Sequence, residues 1–285
     1  MQKHPSHRST PRRSAPFVKW LGGKAKVLPF IEPLLLEYKP RRLVEPFVGG
    51  GSVFLGTDFD EYLLADANSH LVNLYQAVQE DVDALVGKAR PLFCAAANNP
   101  DIYYFIRNAF NTEGDPVTRA AYFLYLNKFG HRGMCRYNGS GEFNVPFGYN
   151  KSVPTLPEQE LGTAADKLNR SSLLCSDFTT AFRLATPGDV IYCDPPYVDQ
   201  DHAASFRSYV TGAFGDSQQR ELADLARAAA KRGIPVVVSN HLTSYSRELY
   251  QGAAVYEIDV RRSIGAGKST QKSAREGIFV FSPEP

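Results

Sequence analysis

A chain of 285 residues with 43% apolar content has room for one large α/β domain and a smaller module. No apolar run approaches the roughly 18 residues of a membrane span, and the N-terminus lacks the apolar core of a signal peptide, so a cytoplasmic protein is expected. Four unpaired-looking cysteines, with no C-x-x-C and no H-E-x-x-H, argue against disulfides and a metal site, and a net charge of +2 does not by itself announce a nucleic-acid partner.

Residues 1–14 carry Lys3, Arg8, Arg12 and Arg13 and no acid, and read as a disordered basic tail. Lys26 to Tyr38 reads as a helix bent or split by Pro29 and Pro33. Arg42 to Glu45 is a short strand, followed by Gly49-Gly50-Gly51 and a helix start at Ser52. Tyr62 to Ala65 is a second strand ending at Asp66, after which Asn68 caps a helix running to about Gln79. Apolar residues from Asp81 to Gly130 recur at helical spacing, whereas 130–157 is rich in Gly, Asn and Pro and reads as hairpin or loop. Strands return at Ser172–Cys175, Val190–Cys193 and Pro235–Ser239. An amphipathic helix between the last two carries Leu222, Leu225, Ala226 and Ala229 on one stripe. Val255–Val260 and Ile278–Phe281 read as a closing antiparallel pair. Strands alternating with helices at both ends, and helices between, predict an α/β sheet interrupted by an insertion.

Two stretches without acids interleave or cluster basic residues. Val117–Gly141 holds Arg119, Lys128, Arg132 and Arg136 among Tyr122, Tyr125, Phe129 and Tyr137. Val260–Arg275 holds Arg261, Arg262, Lys268, Lys272 and Arg275. Basic residues mixed with aromatics fit a nucleic-acid groove.

The segment Val44-Glu45-Pro46-Phe47-Val48-Gly49-Gly50-Gly51-Ser52 is a strand, a glycine turn and a helix start. Such a turn lets backbone N–H groups approach a ligand. Asp66 ends the next strand about 15 residues beyond the last glycine, where an acid suits a ribose diol, so the pair predicts an adenosine-containing cofactor. The dinucleotide fingerprint G-x-G-x-x-G is out of register here, which weakens a nicotinamide oxidoreductase.

The apolar run Val190–Cys193 must stop at Pro195-Pro196, because proline lacks the N–H that a strand needs. The stop presents the Asp194 carboxylate, the Pro195 carbonyl and the Tyr197 ring at the carboxyl end of a strand, where α/β sheets bind ligands. Two acceptors and a ring suit a flat base bearing an exocyclic amino group, with the N–H bonds going to Asp194 and Pro195 and the ring stacked on Tyr197.

Glycine turn, ribose acid and D-P-P-Y together resemble the amino-methyltransferases that use S-adenosylmethionine. Their order resembles the Dam family of DNA adenine N6-methyltransferases, the D12 class. Phe17-Val18-Lys19-Trp20-Leu21-Gly22-Gly23-Lys24 comes first, Glu45 to Leu55 next, and D-P-P-Y after the insertion. Further likeness lies in Phe123–Asn127, Leu63–Asp66, Cys135–Asn138, Gly141–Gly148, Ser239–His241 and Val260–Ile264. The resemblance implies a Rossmann-like methyltransferase sheet with helices on both faces and an inserted, mostly helical target-recognition domain with a β-hairpin or loop. The domains would then be 15–70 with 157–285 for catalysis, and 71–156 for recognition.

The resemblance also assigns roles. Asp194, Pro195 and Tyr197 would be catalytic. Trp20, Lys24, Phe47, Gly49, Gly50, Gly51, Asp66, Asp177, Phe178 and Asp194 would hold S-adenosylmethionine, with no metal. Lys19, His131, Arg132, Met134, Arg136, Asn138 and Pro146 would contact double-stranded DNA, with Lys19 and Arg136 reading guanines and Met134 and Pro146 touching thymine. His131 occupies a position where the family often has an aromatic wedge beside the flipped base. The family's site is GATC. Arg132 stands where relatives often carry Asn, and Tyr149-Asn150 where they often carry Arg-Tyr, so the departures fall in the recognition segment. An RNA adenine methyltransferase and a catalytically inactive DNA-binding relative are the competing readings.

Overall fold

The computed structural model of the protein describes residues 13–197, 214–260 and 274–283. Nearly all of the basic tail, and 261–273 within the second basic stretch, lie outside the described residues. The chain divides into two compact units. One comprises 1–25, 49–60 and 73–170, and the other 26–48, 61–72 and 171–285.

The second unit contains a seven-stranded mixed sheet. Its strands are β1 (Arg42–Glu45), β2 (Glu61–Asp66), β3 (Ser171–Cys175), β4 (Asp189–Cys193), β5 (Val236–His241), β6 (Ala254–Val260) and β7 (Ala274–Phe281). Their order is β3-β2-β1-β4-β5-β7-β6. The first five run parallel, and β7 is antiparallel to both of its neighbours. All of β4 is buried, as a strand covered on both faces requires, which explains its unbroken apolar run. The order reverses between β1 and β4, so their carboxyl ends open the crevice where doubly wound sheets take ligands.

A continuous core joins Val44, Leu63, Ile191, Val236 and Phe279 of the sheet to α7 (Phe178–Leu184), α8 (Asp216–Lys231) and α9 (Ser244–Leu249). The predicted stripe of α8 packs inward, with Leu222, Ala226 and Ala229 buried and Leu225 partly so. At the base of the sheet Arg42 makes a bidentate pair with Asp189, at 2.9 and 2.7 Å, across the β1–β4 register. That hydrogen bond raises the pKa of the guanidinium further.

Of the two outcomes expected for the first helix, a bend or a split, the split does not occur. α1 (Leu28–Leu36) is one helix with Pro29 in its first turn, where no N–H is needed, and Pro33 inside it. Asn68 caps α3 (Ser69–Ala89) as predicted, its Oδ1 accepting from the N–H groups of His70 and Leu71. The helix is interrupted at Asp81 (φ −157°), close to its expected end, and resumes with Asp81 Oδ1 accepting from Ala84 N–H.

The first unit is mainly helical: α2 (Ser52–Gly56), the greater part of α3, α4 (Pro100–Thr112), α5 (Pro116–Phe129) and α6 (Glu158–Leu168). Both α4 and α5 begin with proline behind a capping side chain, Asn99 and Asp115 respectively. Their shared core is aromatic: Tyr103, Phe110, Phe123, Tyr125 and Phe129 are all buried. Among the described residues no helix is long and apolar enough to cross a membrane.

Candidate active site

The carboxyl ends of the parallel strands gather the predicted acids within the sheet unit. β1 leads into Phe47, β2 ends at Asp66, β3 leads through Ser176 to Asp177, and β4 leads into Asp194. Asp66 and Asp194 are half-buried and Pro195 is buried. Asp66 Oδ1 accepts from Asn68 N–H at 2.9 Å, which fixes the turn after β2. Phe47 stacks on Phe178 (centroids 5.4 Å, 23°), and Phe214 meets both rings edge-on. Phe178 is thereby a core residue as well as a cofactor candidate.

Asp177 turns out to be the N-cap of α7. Its Oδ1 accepts from Thr179 Oγ1 (2.6 Å) and from the N–H groups of Thr179 and Thr180. The Thr179 hydroxyl bond and the backbone bonds hold this exposed carboxyl below the usual range. One of its oxygens is therefore committed to the helix.

D-P-P-Y rests on a buried polar network. Pro196 O accepts from Gln219 Nε2 at 2.7 Å. Gln219 Oε1 accepts from Tyr250 Oη at 3.1 Å and from Asn240 Nδ2 at 3.4 Å. Asn240 Oδ1 in turn accepts from His241 N–H at 2.8 Å. Gln219 and Asn240 are buried, so both amides depend on these partners. Tyr197 donates its hydroxyl to Glu276 Oε1, and its ring makes a T-shaped contact with His241, centroids 4.6 Å apart.

Charge at this end of the sheet is negative. Burial, then Asp194, raises the pKa of Cys193 and Tyr192, and Glu45 adds to both; Glu276 also acts on Tyr192. Burial first, then Asp194 and Glu276, raises that of Tyr197, which stays a neutral phenol and a donor.

Gln219, Tyr250 and Glu276 were not anticipated as site residues. Gln219 had a readable signal, since it falls three residues before Leu222 on the apolar stripe of α8. Glu276 offered no pattern beyond a lone acid entering an apolar strand.

The glycine turn and the lead-in to it belong to the helical unit. Gly49 and Gly51 have positive φ (48° and 71°). The close neighbours are side chains: a Cβ on Gly49 would lie 2.8 Å from Trp20 Nε1, and one on Gly50 2.6 Å from Trp20 Cβ. A Cβ on Gly51 would lie 2.8 Å from Tyr75 Oη, which itself donates to Gly49 O at 2.8 Å. Lys24 is buried and donates to Gly22 O at 2.6 Å. The far end of α2 is closed by buried Lys167, whose ammonium donates to the carbonyls of Phe54 (2.9 Å), Leu55 (3.0 Å) and Thr57.

The DNA-contact candidates form a second cluster in that unit. Asn127, buried at the end of α5, accepts from Lys19 N–H (2.8 Å) and donates to Lys19 O (2.8 Å) and Gly133 O (3.3 Å). The Lys19 side chain lies against Gly133, where a Cβ would come within 2.3 Å. His131 N–H donates to Pro146 O at 2.9 Å, and Met134 N–H to His131 O at 3.1 Å. Lys19, His131, Met134 and Pro146 are thus brought together around the turn 131–133, with Arg132 at φ 56°.

Arg136 and Asn138 sit on the adjoining hairpin. Arg136 bonds Asn144 Oδ1 (2.7 Å) and O (3.1 Å), which steadies the guanidinium at the surface. Asn138 spends its amide on the turn, bonding Ser140, Glu142 N–H and Glu142 Oε2. Burial lowers the pKa of Lys19 and of Lys128, and Lys19 lowers Lys128 further. The Lys19 ammonium donates to Lys128 O at 2.9 Å. Among the described residues no cluster of His, Cys, Asp or Glu could hold a metal ion.

A sheet with a switch point and D-P-P-Y directly after β4 are what the resemblance to the amino-methyltransferases implies. The model of the D12 class N6 adenine-specific DNA methyltransferase matches residues 20–264, and the chain belongs to that family. It is 44% identical over 272 residues to the DNA adenine methylase of Escherichia coli strain K12, covering 95% of this chain and 97% of the relative. Identity to the DNA adenine methylase of Haemophilus influenzae is 43% over 268 residues, 93% of each chain. For that of Vibrio cholerae it is 42% over 273 residues, 95% of this chain and 98% of the relative. The protein is an adenine-specific DNA methyltransferase, and DNA is its substrate.

Proposed function

We propose that the enzyme methylates the N6 amino group of adenine within GATC in double-stranded DNA, taking the base out of the helix and transferring the methyl group directly. The observation that carries this reading is the D-P-P-Y segment: a half-buried carboxylate, a buried proline and a tethered ring at the end of the central strand. S-adenosylmethionine supplies a methyl group on a sulfonium when bound. Phe47, Asp66, Asp177, Phe178 and Asp194 of the sheet unit would hold it, with Trp20, Lys24 and the turn Gly49–Gly51. The negative charge of Asp194 and its acidic neighbours suits a cationic donor, and stacked Phe47 and Phe178 suit an adenine.

The amino lone pair of adenine is delocalised into the ring and is a poor nucleophile. Asp194 and the Pro195 carbonyl would accept hydrogen bonds from its two N–H groups, which favours a pyramidal nitrogen and frees the lone pair for in-line attack. Positioning and electrostatics supply the rate, without a covalent enzyme intermediate. Extruding the base costs about a few kcal/mol, and stacking on Tyr197 returns roughly 1–3 kcal/mol. His131 at the exposed turn fills the gap.

The recognition role falls to 71–156 with Lys19. Arg136, held by Asn144 and presented on a hairpin shaped by Asn138, reads a guanine. Lys19 reads the other guanine, Met134 and Pro146 touch the thymine, and Arg132 lies beside them. The enzyme would act in the cytoplasm on nucleoid DNA, without an obligate protein partner. Plasmid DNA exposed to the protein and S-adenosylmethionine, then challenged with site-specific endonucleases, tests the proposal. Protection confined to GATC supports it. Protection elsewhere refutes the site, and methylation of matched RNA in preference to DNA refutes the substrate.

A further inference from the structure

We infer that Glu276 is a positioning residue for methyl transfer: it fixes the Tyr197 ring beside His241 so that a ring face is held ready for the target base. This rests on the proposed stacking of the base on Tyr197. A tyrosine four residues past a strand end has two free torsions, and stacking on a swinging ring gains little because the ring must first be ordered. Three contacts remove that freedom. Glu276 and His241 are register partners on antiparallel β7 and β5, so they stand side by side at one end of the sheet. The phenol hydroxyl donates to Glu276 Oε1, and the imidazole and phenol planes lie at 75° to each other in a T-shaped contact. Glu276 is 7% exposed, so the acceptor is shielded from competing water. Pro196 is independently tied to Gln219, which holds the backbone that carries the ring.

A hydrogen bond to a charged group is among the stronger local tethers. Its removal should act after DNA is bound, when the flipped base needs a settled ring, so kcat should fall while KM for DNA holds. The test compares the parent enzyme with Tyr197→Phe, Glu276→Ala, Glu276→Gln and the double variant Tyr197→Phe with Glu276→Ala. Methylation of a GATC duplex is followed, together with the fluorescence of 2-aminopurine placed at the target adenine.

Glu276→Ala and Tyr197→Phe should each lower kcat about tenfold with KM for DNA unchanged, and the double variant should be no worse than either. Glu276→Gln, which keeps an acceptor oxygen, should recover most of the rate. Normal kcat in Tyr197→Phe, which keeps the ring and does not depend on how Glu276 variants fold, would overturn the inference, as would independent losses in the double variant. Asp194→Ala run alongside separates the two levels. If it too retains full activity, the base-gripping role of D-P-P-Y fails. If it is dead while Tyr197→Phe is normal, only the role of Glu276 fails.

Discussion

Gly50→Ala is a sharp probe of the turn that follows β1. The added Cβ would lie 2.6 Å from Trp20 Cβ and 3.4 Å from Trp20 Cγ. Carbon atoms rest roughly 3.5–4.0 Å apart, so the methyl intrudes by about 1 Å. Both clashing atoms are Cβ carbons fixed to main chain, and no change of rotamer relieves them. Gly50 is not among the positive-φ residues, so the cost is steric alone, roughly 1–3 kcal/mol for overpacking. For a chain of this length that is a fall in Tm of about 2–10 °C. Trp20→Ala keeps its Cβ and should not restore the loss, whereas Trp20→Gly should. Thermal melting monitored by circular dichroism measures the stability, and calorimetry with S-adenosylmethionine should record weaker binding as the turn shifts. A melting point within about 1 °C of the parent, with unchanged affinity, would refute a steric role for the Trp20–Gly50 approach.

Three further substitutions test other parts of the account. Asn127→Ala removes the amide that serves Lys19 N–H, Lys19 O and Gly133 O; urea unfolding should show a loss of about 2–3 kcal/mol, and DNA affinity should fall while cofactor affinity holds. Lys167→Met deletes the ammonium that closes α2 and leaves the carbonyls of Phe54, Leu55 and Thr57 buried, which should cost more than about 2 kcal/mol in the same assay. Asp177→Ala removes the N-cap of α7 and should cost about 1 kcal/mol at neutral pH. Because the folded carboxyl is held below its unfolded value, that contribution is present above the unfolded pKa and lost as pH falls through the lowered folded pKa. The gap in stability between parent and variant should therefore close below about pH 4, and a gap independent of pH would contradict the assignment.

Strands β1, β2, β4 and β5 were legible because each is a short apolar run ended by Pro, Asp, Gly or a polar pair. The stripe of α8 was legible for the same reason, its period matching one buried face. Helices α7 and α9, of seven and six residues, are too short to show a period, and α6 breaks its stripe with Gly162 and Thr163. Pro33 does not split its helix, because a proline inside a nine-residue helix forfeits one hydrogen bond without ending it. The glycine turn read as an approach for a ligand. Its glycines also accommodate Trp20 and Tyr75, a demand that comes from 17–24 and α3 and has no local signature. In the same way the sequence pointed to Asp194 and Tyr197 but not to Gln219, Tyr250 and Glu276, whose partners lie tens of residues away.

The central claim is that Asp194 grips and activates the target amino group. The direct measurement is single-turnover methylation of a GATC duplex by Asp194→Ala, alongside its affinity for the same duplex. The rate should be lower by about a hundredfold or more, with DNA binding within a few fold of the parent. Near-normal methyl transfer by that variant would contradict it.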